Sequence, residues 1–75
     1  MAGEVDVMLP DVIGARITKL MAENGLKRSD VAQFCGVTDQ TVWFWMRGER
    51  IPSDDMKLKL SKLLKRTVKF IFYTP

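Results

Sequence analysis

Residues 26–52 read LKRSDVAQFCGVTDQTVWFWMRGERIP, two short apolar-striped segments on either side of a glycine. Val31, Ala32 and Cys35 fall on one side of a helix over about 28–35, and Gly36 stops it. Thr38 is a good N-cap, since its hydroxyl accepts from the free N–H groups that start the next helix. That helix covers 38–47, with Val42, Trp45 and Met46 turned inward at helical spacing, and Gly48 closes it. Two short helices therefore meet at the tight turn Gly36-Val37-Thr38.

The flanks read as further short helices. Pro10 suits a first turn, where its missing N–H would be unpaired anyway, and Asp11 adds a favourable negative charge there. Ile13, Ile17, Leu20 and Met21 form one apolar stripe, and Asn24-Gly25 ends the helix. After the turn at Ile51-Pro52, Ser53 caps a fourth helix with Asp54 and Asp55 in its first turn. Its stripe is Met56, Leu60, Leu63 and Leu64. The ending TVKFIFYTP is two-sided: its residues favour strand, yet Thr67 can cap a short fifth helix. A lone strand would have no partner in this chain, so the helix is favoured. The expectation is an all-α bundle of four or five short helices over 10–75, preceded by a flexible arm over 1–9.

Composition narrows the chemistry. Seventy-five residues make one domain with a modest core. With no histidine and one cysteine, Cys35, there is no zinc ligand set, no disulfide and no Ser–His or Cys–His nucleophile pair. The expectation is a protein that is not an enzyme, takes no metal or cofactor, and works in the reducing cytoplasm. Cys35 itself reads as a small buried hydrophobe. No basic start followed by a long apolar run marks a secretory signal, and no run of about 20 apolar residues would cross a bilayer. The net charge of +3 is unevenly spread. Residues 1–11 hold Glu4, Asp6 and Asp11 without a base, whereas 56–75 hold Lys57, Lys59, Lys62, Lys65, Arg66 and Lys69 without an acid. Such asymmetry attracts polyanions or acidic protein surfaces, although a solvated lysine-rich helix face reads the same way.

In a two-helix unit of this kind the second helix can enter the DNA major groove while the first crosses the backbone. The stretch resembles the helix-turn-helix of phage Cro and repressor proteins, the Xre type. The matching residues are Leu26, Val31-Ala32, Gly36-Val37-Thr38, Val42, Trp45, Arg47-Gly48, Arg50 and Pro52. The flanks IGARITKLMAENG and KLSKLLKRTVKFIF also look like the family's outer helices, so the resemblance covers about 12–73. It implies a lambda-repressor-like fold, a transcription regulator bound to double-stranded DNA, and a phage or mobile-element origin.

Carried over by position, the resemblance makes Asp39, Gln40, Thr41 and Phe44 the base contacts. Lys27, Arg28, Arg47 and Arg50 become the phosphate contacts. Gln40 is the strongest base reader, since an amide pairs bidentately with adenine. Three departures matter. Lys27 and Arg28 stand where the family has Thr-Gln, so a cap is lost and positive charge gained. Asp39 repels phosphate but can accept from cytosine. Trp43 and Phe44 stand where polar readers are expected, and with Val42 and Trp45 inward they point largely outward. Aromatics of that kind are enriched at protein interfaces. A second reading therefore stays open, in which the third helix docks through Trp43 and Phe44 on a partner repressor that it modulates. In the tail, Phe70, Phe72 and Tyr73 either cover the core or form a homodimer surface.

Overall fold

The computed structural model describes residues 9–73. Of the arm expected over 1–9, all but Leu9 lies outside the described residues. Helix α1 (Pro10–Glu23) starts on proline with Asp11 in its first turn. It ends at Asn24, and Gly25 follows at φ 66°, which lets Leu26 N–H turn back to the Met21 carbonyl at 2.9 Å. Asn24 also ties two elements together, its side-chain amide donating to Leu20 O at 2.8 Å and Leu64 O at 3.3 Å.

Helix α2 (Arg28–Cys35) closes on Gly36 in the left-handed region at φ 74°, where a side chain would be strained. Helix α3 (Asp39–Arg47) is capped by Thr38, whose hydroxyl accepts from Thr41 N–H at 3.1 Å. Helix α4 (Asp54–Leu64) is capped by Ser53, and helix α5 (Val68–Phe72) by Thr67, which accepts from Phe70 N–H at 3.0 Å. Of the two-sided tail, Val68–Phe72 is thus helical and Tyr73 extended, with Thr67 supplying the cap the sequence suggested. The described residues form an all-α bundle of five short helices with no sheet.

One core joins all five. Ile13, Ile17, Leu20 and Met21 of α1 meet Val42 and Trp45 of α3, Leu60 and Leu64 of α4, and Ile71 and Phe72 of α5, with Val31, Ala32 and Cys35 of α2 closing the rest. Helix α1 touches α3, α4 and α5, while α5 touches α1 and α4 alone. Met46, Met56 and Leu63 pack half-buried against this core. One expectation changes: Lys57 takes an inward place on α4 at 8% exposure. Its stem packs inside while its ammonium reaches Tyr73 Oη at 3.3 Å and Asp54 Oδ1 at 3.7 Å. Lys57 therefore leaves the solvated basic cluster to which its charge assigned it.

Candidate nucleic-acid interface

The residues on α3 divide into two faces. Val42 and Trp45 are buried against α1, which turns Gln40, Trp43, Phe44 and Arg47 toward the opposite side, since positions three, four and seven apart share a face. Asp39 and Gln40 are exposed at the front of the helix. Thr41 is half-buried, and its hydroxyl lies 3.0 Å from that of Thr38, so it serves the cap. Of the four expected base contacts, Asp39, Gln40 and Phe44 share the outer side and Thr41 is turned to its own turn.

The two aromatics correct the expectation of bare rings. Trp43 and Phe44 are half-buried, with centroids 5.6 Å apart and planes tilted by 55°. Each carries a guanidinium: the Arg47 carbon sits 4.6 Å from the Trp43 centroid, and the Arg50 carbon 4.9 Å from that of Phe44. Stacking of this kind attracts a cation to the negative face of the ring and holds it in one place. Arg47 is held further by Glu49, whose carboxylate accepts from Arg47 Nε at 2.8 Å. Both partners are about half exposed, so the pair is weak and its partner is exchangeable. Arg50 has no such carboxylate among the described residues.

At the other end of the motif, Lys27 and Arg28 are exposed at the start of α2. The cap lost with the missing threonine is partly replaced, because the Asp30 carboxylate accepts from Lys27 N–H at 2.8 Å. Helix N-terminal N–H groups beside two cations make an anion-compatible surface. The sequence reading missed Asp30, although an acid three residues into a helix is the signal for it.

The orientation of α3 depends on two glycines that carry no chemistry. A Cβ on Gly14 would lie 2.5 Å from Met46 O and 2.7 Å from Trp45 O, and one on Gly48 would lie 2.8 Å from Asp11 Cα. The N-terminal part of α1 therefore touches the end of α3 backbone to backbone. Periodicity could not reveal this, because Gly14 looks like one more small residue beside the Ile13–Ile17 stripe.

In the tail, Phe72 is fully buried and belongs to the core, so it offers no surface; its aromatic character alone could not tell it from Phe70. Phe70 is exposed and Tyr73 half-buried. Cys35 is buried, and that burial pushes its thiol up from the ordinary value against the opposing charge of Lys59. Among the described residues no three His, Cys, Asp or Glu side chains cluster to hold a metal, and no helix is long and apolar enough to cross a membrane.

No curated protein matches the chain. Solved structures do. The restriction-modification controller protein C.AhdI from Aeromonas hydrophila shares 27% identity at a TM-score of 0.77, over 84% of this chain and 96% of its own. The P22 c2 repressor, solved in complex with a synthetic operator, shares 23% at 0.77 over 80% and 91%. The clp gene regulator ClgR from Corynebacterium glutamicum shares 19% at 0.78 over 85% and 68%. The last two carry the shared fold alone. The fold is that of DNA-binding helix-turn-helix regulators, and the family described as Helix-turn-helix matches residues 17–71, most of the sequence, so the chain belongs to the helix-turn-helix family.

Proposed function

We propose that this chain is a cytoplasmic transcriptional regulator of the Cro/repressor type that lays α3 in the major groove of double-stranded DNA. The observation that carries the reading is Gln40: it stands exposed at the front of a helix whose opposite face is pinned in the core, with cations at both ends of the motif. An amide so placed can pair with the adenine edge and discriminate by about 1–3 kcal/mol. Asp39 would accept from a cytosine amino group, and Phe44 would touch a thymine methyl. Lys27 and Arg28 at the start of α2, and Arg50 after α3, would take phosphates, which set register and supply most of the affinity. Arg47 would join them by exchanging Glu49 for a phosphate. Thr41 supports the helix start instead of reading a base. The P22 c2 repressor, with its operator-bound structure, and the controller protein C.AhdI lend support as regulators of the same fold.

Duplex-binding anisotropy tests this reading. With a random pool, affinity should fall steeply between about 50 and 200 mM salt, and Arg28→Ala should flatten the slope of log affinity against log salt by about 1. No binding at the lower salt would remove DNA as the ligand. The other reading, docking on a partner repressor, is favoured by one observation: Trp43 and Phe44 occupy the middle of the outer face of α3. A complex with such a partner that survives Trp43→Ala with Phe44→Ala would exclude that face.

A further inference from the structure

Helix α5 packs on α1 and α4 and not on α3, so its outer surface is separate from the candidate DNA face. Phe70 stands there at 45% exposure. The Arg16 guanidinium donates to the Phe70 carbonyl oxygen, and its carbon lies 4.9 Å from the ring centroid; the Arg66 carbon lies 5.2 Å from the same centroid. The ring forms a ridge between two open depressions of ≈ 500 and ≈ 480 Å³. Lys62, Lys65 and Arg66 line the first, Arg16 and Lys69 the second, and among the described residues no carboxylate lines either. Among the described residues, none of these five cations has a carboxylate within ion-pair distance.

We propose that this ridge docks an acidic segment of another protein that carries one apolar side chain. The apolar group covers Phe70 while carboxylates meet the cations on both sides. An exposed aromatic centre with a charged rim is the arrangement in which the centre supplies affinity and the rim supplies attraction and register. A second copy of the chain fits poorly, because a two-fold interface sets this same all-cationic patch against itself. Of the tail residues expected at a homodimer surface, Phe72 is buried in the core. Duplex DNA would meet the cations and leave the ring uncovered. An unpaired base could stack only by displacing a guanidinium already against the ring.

The probe is a fluorescein-labelled twelve-residue peptide of alternating glutamate and serine with one central leucine, beside a control with serine in place of leucine. Both are titrated with the full chain at ~150 mM salt, where distant exposed charges are largely screened. The leucine peptide should bind saturably and at least roughly tenfold tighter than the control. Arg66→Glu with Lys69→Glu, two exposed positions, should weaken it at least roughly tenfold with the circular-dichroism melt unchanged. Phe70→Ser should erase the difference between the peptides. Equal affinity for both peptides, or binding untouched by either variant, overturns the proposal. So does displacement of the peptide by duplex DNA, a dimer in sedimentation that Phe70→Ser dissolves, or binding that appears only once residues 1–8 are removed. These last three assign the ridge to DNA, to a second copy and to the chain's own acidic start.

Discussion

Gln40 and Arg47 share one face of α3, yet they are placed by different means. Gln40 is fixed through its backbone, two residues after the Thr38 cap. The position of Arg47 depends on the Trp43 ring and the Glu49 carboxylate. The first kind of placement is legible in sequence, because a cap and an inward stripe determine which side of a helix faces out. The second is not, because a guanidinium two to four residues from several partners has more than one choice. Glu49→Gln should therefore tighten duplex binding, since it releases Arg47 and removes a charge that repels phosphate. Exposed pairs of this type are worth about 1 kcal/mol or less, so the gain should be a few-fold, seen in anisotropy and diminishing with added salt. Weaker binding by this variant would mean that Glu49 orients Arg47 productively.

At the scale of the element, most helix boundaries follow from local chemistry. Pro10, Thr38, Ser53 and Thr67 start helices, and Gly36 and Gly48 stop them at positive φ. These marks needed no knowledge of the fold. What the sequence withheld was how α1 and α3 touch. Gly14→Ala should show the difference. Helix propensity alone favours alanine by about 1 kcal/mol. Against that stand backbone atoms of Trp45, Met46 and Gly48 within 2.9 Å of the new Cβ, and backbone cannot rotate aside. Overpacking of this kind costs about 1–3 kcal/mol, so the clash wins. Urea melts should show a net loss, and because α3 must shift, specific duplex binding should weaken although Gly14 is remote from the face that binds. Unchanged stability would mean that α1 and α3 can separate freely.

Over the whole molecule, the basic C-terminal run splits into parts with different work. Lys57 is drawn into the bundle, its ammonium 5.6 Å from the Phe72 centroid and 5.1 Å from that of Tyr73, while Lys62, Lys65, Arg66 and Lys69 stay exposed. Counting charges along the chain gave the asymmetry but not this division, since Met56 and Lys57 are adjacent and only the tertiary fit decides which turns inward. Lys57→Met keeps the packed stem and should be nearly neutral. Lys57→Ala should lose about 1–2 kcal/mol in urea unfolding, because a buried side chain is truncated. Equal stability of the two variants would show that the stem contributes nothing to holding α5.

Recognition by this bundle comes down to whether the outer face of α3 reads bases. The direct measurement is the affinity of the wild type and Gln40→Ala for a selected duplex and for random duplex, at one salt concentration. Base reading requires the variant to lose about 1–3 kcal/mol on the selected site and little on random DNA, which narrows the ratio between them. Equal loss on both duplexes, or no loss on either, would contradict it and leave α3 without the role proposed for it.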